Sequence, residues 1–307
     1  MSTQPDVVVI GAGITGLHAT QHALSLGLRV TQLESLIYGG LVTNVNALDG
    51  ELSGAGVELA AGLMQKNRHA GATFASQAAT KIQATANAWR VSTDDGKSID
   101  SPCVIIASGA RLKRLDVPGE AEFEENGVSH CADCDGPFYK GQDVVVIGGG
   151  DAAVQEAAVL AEFAHTVHLI HRGGQLRAKA HLIAQLNTHS NVQIHFHQHV
   201  QAISGSASVE SVRLIDQHSG QARSLACTGV FPYIGLTPNS DFVPAELKRD
   251  AQSHVITDTT LQTNCPGIFA AGAVRAGFNG LLTDAVREGQ TAALAARDWL
   301  QQRRSTT

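Results

Sequence analysis

Asp143-Val-Val-Val-Ile-Gly-Gly-Gly150 repeats, with one change, the stretch Asp6-Val-Val-Val-Ile-Gly-Ala-Gly13 that lies 137 residues earlier. Each is an apolar, β-branched run of strand length ending in glycines, the composition of a strand buried on both faces. Each leads into an alanine-rich stretch of helix length (18–25 and 152–163) and then a second strand-like run (28–34 and 166–172). The order strand, turn, helix, strand occurs twice, which requires parallel strands joined by crossover helices. Two further buried-type runs, Cys103-Val-Ile-Ile-Ala-Ser-Gly109 and Gly267-Ile-Phe-Ala-Ala-Gly272, also end in glycine.

The first of these leads to Leu115-Asp-Val-Pro-Gly119, a domain exit, and Val230-Phe-Pro-Tyr-Ile-Gly-Leu-Thr-Pro-Asn239 reads as a return. Residues 280–300 read as a long closing helix. The expected fold is therefore α/β, with two Rossmann-like dinucleotide-binding domains. One domain is built from residues 1–115 and 241–307, and the other, 116–240, is inserted into it. A length of 307 residues and an apolar fraction of 43% suit two domains with real cores. The net charge of −6 argues against a nucleic-acid partner held through phosphates. No apolar run approaches the roughly 18 residues of a membrane span. The N-terminal residues lack a basic leader, so no signal peptide is expected. Five cysteines without a secreted-framework spacing suit a reducing cytoplasm, where a Cys-x-x-Cys is more often catalytic or metal-binding than structural.

The first glycine turn, Gly11-Ala-Gly13-Ile-Thr-Gly16, follows a strand and opens a helix. Its glycines permit a tight turn and close approach of a pyrophosphate to the helix N-terminus. Glu34 lies eighteen residues after Gly16, where a carboxylate accepts hydrogen bonds from a ribose diol. The second turn reads Gly148-Gly-Gly150-Asp151-Ala152-Ala153. The position matching Glu34 is His171, followed by Arg172 and then Arg177. A carboxylate there would repel a 2′-phosphate, whereas these cations pair with one, so NADPH is favoured over NADH. The bland alternatives are ligand-free glycine turns and solvated basic residues.

Cys131-Ala-Asp-Cys134 has three readings: a redox disulfide, half of a zinc site, or two unrelated thiols. Cys103, Cys227 and Cys265 are scattered and His130 alone does not complete a tetrahedral set, so no metal is expected. Asp135 is placed to relay protons to a leaving thiolate. His195-Phe-His197-Gln-His199 lies in a run, 191–200, that reads as one strand. Its three histidines would then share one face, more suited to a polar sheet surface than to a metal.

The order of G-x-G-x-x-G, Gly39-Gly40, strand-Ala-Ser-Gly109, C-x-x-C-D-G, GGGDAA, His-Arg-x-x-x-x-Arg-Ala and Gly-Ile-Phe-Ala-Ala-Gly resembles the low-molecular-weight thioredoxin reductase family. It is also similar to the reductase subunit of alkyl hydroperoxide reductase. The likeness spans essentially the whole chain and is most specific over 127–178. It implies a three-layer ββα build, with FAD in the discontinuous domain, contacted from Gly11, Gly13, Gly16, Glu34, Gly40, Leu41, Asn46, Gly109, Gly272 and Ala273. NADPH would lie in the insert, at Gly148, Gly150, Asp151, Ala152, His171, Arg172 and Arg177. By the same resemblance Cys134 faces the flavin, Cys131 attacks the substrate disulfide and Asp135 is the acid. The inserted domain would rotate so that nicotinamide and cysteine pair take turns at the flavin, in a homodimer acting on thioredoxin or a similar dithiol.

The chain departs from the family around the flavin. The family's Gly-Gly-Gln is Gly39-Gly40-Leu41, and the loop after it, 42–50, is shorter and reads Asn46-Ala-Leu-Asp-Gly. The C-terminal Gly-Asp is Gly272-Ala273, and the Arg-Gln before the last helix is Gly280-Leu281. The second arginine of His-Arg-Arg is Gly173. One lost hydrogen bond to a buried ligand costs about 1–3 kcal/mol, so the losses together weaken or retune flavin binding. The leading expectation is an NADPH-dependent flavoprotein disulfide reductase. The alternatives are an oxygen-dependent dithiol oxidase of the gliotoxin type and a redox sensor or scaffold with a degenerate flavin site.

Overall fold

The computed structural model describes residues 4–36, 38–45 and 54–305, in two compact units, Met1–Arg111 with Thr237–Thr307 and Leu112–Leu236. In the first unit, five parallel strands run in the order Ile268–Ala270, Cys103–Ile106, Val7–Ile10, Val30–Leu33 and Thr73–Ala75. Alternation along Val7–Ile10 sorts its side chains between two cores. Val7 and Val9 pack with Ala19 and Ala23 of the helix Ile14–Ser25 and with Ala292, Ala293 and Ala296 of Leu282–Ser305. Val8 and Ile10 pack on the opposite face with Ile82 and Val91 of the antiparallel sheet Ala79–Ala84, Trp89–Thr93 and Ser98–Ser101. Because both faces are covered, the run has no polar position, and the result is three layers: antiparallel sheet, parallel sheet, helices.

The second unit repeats the build. Its parallel sheet runs Val192–His195, Thr166–Ile170, Asp143–Gly148, Gly229–Tyr233. Val144 and Val146 pack with Ala153, Val154 and Ala157 of the helix Asp151–Ala161. Val145 and Ile147 pack with Val200, Val212 and Leu214 of the antiparallel sheet Gln198–Gly205, Val209–Asp216 and Ala222–Ala226. The aspartate that opens each repeat has one task in both units, tying its strand to the start of the next. Asp6 accepts from the Arg29 backbone at 3.0 Å and pairs with its guanidinium, while Asp143 pairs with His165 at 2.9 Å.

The chain crosses between units through Ala110–Leu112 and Leu236–Pro238, which pair as a two-stranded ribbon. The crossings fall at 111/112 and 236/237, four residues before those read from the sequence. The run 191–200 is not one strand. Val192–His195 belongs to the parallel sheet and Gln198–Gly205 to the antiparallel one, and His197, at a left-handed φ of 56°, turns the chain between them. The three histidines therefore do not share a face. Among the described residues no group of three or more His, Cys, Asp or Glu is arranged to hold a metal.

Candidate active site

At the first glycine turn, two glycines are fixed by the protein's own packing. A Cβ on Gly11, whose φ is 100°, would lie 2.3 Å from the Ala107 carbonyl oxygen, and one on Gly16 would lie 2.1 Å from that of Gly11. Gly13 is different: its nearest neighbour would be the Gly39 oxygen at 3.7 Å. It caps the helix Ile14–Ser25 with no side-chain hydrogen bond, so the first-turn amides have no side-chain acceptor from the cap. Gly40, at a φ of 59°, closes over this turn with its Cβ position 3.4 Å from Gly13 Cα. Glu34 stands at the turn because Ala12 N–H donates to its Oε2 at 2.8 Å and Leu36 N–H to its Oε1 at 3.0 Å. Its remaining lone pairs are available to a diol. Gly109, at a φ of 64°, has open space where a Cβ would be.

Gly272 rests on the same helix, its Cβ position 2.4 Å from Thr15 Oγ1, and Ala273 beside it is half-buried. Leu41 and Leu281 are exposed at 41% and 51%, apolar groups left in water within this unit. Asn46 lies outside the described residues. Two acids that the sequence reading missed lie on the helix Leu282–Ser305, one of them at Gly272. Glu288, buried, accepts from Gly272 N–H at 2.7 Å and pairs with Arg275. Asp284, also buried, pairs with Asn279 and Arg287. They are four apart on Leu282–Ser305, hence on one helical face, and that spacing was the available signal.

At the second turn, neighbouring glycines divide the work. A Cβ on Gly148 would meet the Tyr233 oxygen at 2.4 Å, and one on Gly149 the His171 Nδ1 at 2.3 Å. Gly150, which caps the helix Asp151–Ala161, has nothing within 4 Å of that position. Ala152 is exposed on the first helical turn. Asp151 is occupied: its Oδ1 accepts from Lys179 N–H at 2.8 Å, and Lys179 holds its carboxyl below the usual range. With Arg177 N–H donating to Gly149 O at 2.7 Å, this bond ties the 173–179 loop to the glycine turn. Arg172 and Arg177 are exposed and form no ion pair among the described residues. His171 is buried beneath the turn, its pKa lowered by burial and then by Arg177, so it shapes the loop rather than lending it charge. At Gly173 a Cβ would lie 2.8 Å from His171 Nε2.

Cys131 and Cys134 form a disulfide with their Cα atoms 5.3 Å apart. Cys131 caps the short helix Ala132–Asp135, and its Sγ accepts from Cys134 N–H at 3.2 Å. Cys134 is exposed and Cys131 and Asp135 half-buried, while Cys103 and Cys227 are buried thiols whose pKa burial raises. Ala132 is fully buried in the core of the helix that follows the second glycine turn. Its N–H points at Glu156 Oε2 and Tyr233 Oη, both at 3.2 Å, and the tyrosine hydroxyl donates to the same carboxyl oxygen at 3.2 Å. Burial raises the pKa of Glu156, and burial followed by Glu156 raises that of Tyr233. Neither residue was singled out from the sequence, because nothing local links 132, 156 and 233.

Both turns fit a dinucleotide on their own geometry: an uncapped helix start, a glycine whose absent side chain leaves room, and an acid at one turn against free guanidinium groups at the other. Two such turns, with a Cys-x-x-Cys disulfide packed on the helix of the second, define an oxidoreductase that connects a pyridine nucleotide to a disulfide. The chain belongs to the pyridine nucleotide-disulphide oxidoreductase family, whose model matches residues 5–296. It is 36% identical over 305 residues to a thioredoxin reductase of Treponema pallidum (strain Nichols), covering 98% of each chain. Among solved structures it matches the Lactococcus lactis thioredoxin reductase with a TM-score of 0.90 and 32% identity, over 97% of this chain and 100% of that one. The T. acidophilum thioredoxin reductase gives 0.86 and 29%, over 97% of this chain and 99% of that one.

Proposed function

We propose that the chain is an NADPH-dependent flavoprotein disulfide reductase that delivers two electrons to thioredoxin or a similar small dithiol partner. The observation that carries this reading is the Cys131–Cys134 disulfide on the helix of a nucleotide turn whose exposed cations are Arg172 and Arg177. FAD would be held at Gly11, Gly13, Gly16, Glu34, Gly40, Gly109, Gly272 and Ala273, and NADPH at Gly148, Gly150, Ala152, Arg172 and Arg177, with Asp151 and His171 shaping the turn. When bound, FAD supplies the two-electron relay between the nucleotide and the cysteine pair. The balance is one NADPH and one proton consumed per protein disulfide opened to a dithiol.

The chain's own residues then do thiol chemistry. Cys131, whose Sγ accepts from Cys134 N–H in the disulfide, is the sulfur that would attack a partner disulfide once the pair is reduced. The mixed disulfide that forms is resolved by Cys134, which restores the internal disulfide and releases the partner as a dithiol. Asp135, adjoining Cys134, is the candidate proton donor to the leaving thiolate. Glu156 and Tyr233 hold the Ala132 amide, and so the start of the cysteine helix. No helix among the described residues is long and apolar enough to cross a membrane, and we assign the enzyme to the cytoplasm as a homodimer.

The test is an anaerobic visible spectrum of the purified protein before and after NADPH and, separately, NADH. Flavin bands that bleach with NADPH are expected. Bands that resist both nucleotides but bleach with a small dithiol would replace this reading with the dithiol oxidase. A protein that takes up no FAD would end the catalytic assignment.

A further inference from the structure

The loop that reads the second nucleotide lacks one cation, since position 173 is glycine, with its Cβ position 2.8 Å from His171 Nε2. A histidine from another strand stands beside the gap. His197 N–H donates to Gly173 O at 3.2 Å, and its own carbonyl accepts from Gln217 N–H at 2.8 Å. Its ring lies across Gly174: a Cβ there would fall 2.8 Å from His197 Cε1 and 2.9 Å from Nε2, so the ring has its place only because residue 174 is glycine. The His218 ring is packed on it with centroids 4.2 Å apart. Neither ring nitrogen of His197 has a hydrogen-bond partner among the described residues, and the ring is only half-buried.

His197 holds a left-handed φ of 56°, a conformation that glycine or asparagine adopts more cheaply. A backbone of this kind, occupied by a histidine whose nitrogens are unused, directs attention to a ligand. We propose that His197, backed by His218, is a specificity-determining residue that binds the 2′-phosphate of the nicotinamide nucleotide together with Arg172 and Arg177. This rests on the NADPH reading above. In the Rossmann arrangement the group that reads the ribose 2′ position follows the second strand, here Thr166–Ile170, and His197 is bonded to the loop that does so.

The charges around the ring agree with an anion. Arg172 and Arg177 are exposed on the adjoining loop, and His171 is buried beneath the turn. Arg223 is turned away to His195 and Gln198. The acid of the opposing turn is Asp216, whose Oδ1 accepts from the amides of His218 and Ser219 and from the Ser219 hydroxyl. Those bonds hold the Asp216 carboxyl below the usual carboxylate range.

The experiment is calorimetric titration of the holoenzyme with 2′,5′-ADP and with 5′-AMP at pH 6.5. The proteins are wild type and His197→Asn, which keeps a residue suited to the left-handed turn. At pH 6.5 the substitution is expected to weaken 2′,5′-ADP about three- to tenfold and leave 5′-AMP within about twofold. Equal weakening of both ligands, or of neither, overturns the proposal while leaving NADPH binding intact. A wild-type protein with no preference for 2′,5′-ADP overturns the NADPH reading, and this proposal falls with it.

Discussion

Gly149 and Gly150 look alike in the sequence and do opposite things in the structure. At Gly149 a Cβ would enter the His171 ring, whereas at Gly150 it would enter open space over a helix start. Gly149→Ala should therefore destabilise the protein by about 1–3 kcal/mol through overpacking, seen as a lower denaturation midpoint. Gly150→Ala, at an ordinary φ of −94°, should leave that midpoint unchanged and weaken NADP+ binding at least tenfold by titration. Equal effects of the two on stability would remove the ligand argument at Gly150. At the cysteine pair, Cys131→Ser should abolish thioredoxin-linked turnover in a disulfide-reduction assay, because serine cannot form the mixed disulfide. Glu156 offers a separation of hydrogen bonding from charge. Glu156→Gln keeps an acceptor for Ala132 N–H and Tyr233, so urea unfolding should change little; Glu156→Ala should cost about 1–3 kcal/mol.

Among the elements, the edge strand Val192–His195 and its neighbour Thr166–Ile170 carry a pair of imidazoles. His168 Nδ1 and His195 Nε2 lie 3.1 Å apart, and Arg223 approaches His195 Nδ1 at 3.2 Å. Arginine only donates, so His195 Nδ1 accepts, its Nε2 carries the hydrogen, and His168 Nδ1 accepts in turn. A second proton on either ring breaks this chain. Burial, then Arg223 and His168, lower the pKa of His195 to about 4, and burial lowers that of His168. The unfolded chain thus binds more protons than the folded one below the ordinary histidine pKa of about 6.5. The contribution is full above that pH and is lost progressively as pH falls towards about 4. Thermal unfolding of wild type should weaken across this window more steeply than that of His195→Gln. Parallel slopes would show that the pair does not titrate on folding.

For the whole molecule, the two crossings of the chain are a hairpin in waiting. Lys113 N–H donates to Gly235 O and Asn239 N–H to Gly109 O, both at 3.0 Å, an antiparallel register. Replacing residues 114–234 by Asn-Gly should close a two-residue hairpin. The first unit has its own cores on both faces of its sheet, so the excised protein should be soluble, cooperative in unfolding and able to take up FAD. An aggregated or molten product, judged by near-ultraviolet circular dichroism, would mean that the first unit needs the insert to fold.

The repeat Asp6–Gly13 and Asp143–Gly150 made the double fold legible, because period-two burial on both faces leaves a continuous apolar run that only a covered parallel strand needs. The sequence by itself therefore determined the layers, the two glycine turns and the cysteine pair, since each is a local pattern with a local cause. Only the tertiary structure decided that His171 is buried packing rather than a surface cation, and that the histidines at 195, 197 and 199 part ways at a left-handed turn. It alone brought Glu156 and Tyr233 to the Ala132 amide and Glu288 to the Gly272 amide and Arg275. These depend on which distant backbone atoms a side chain meets once the layers stack. Spacing along the chain carries that information only where the partners share one element.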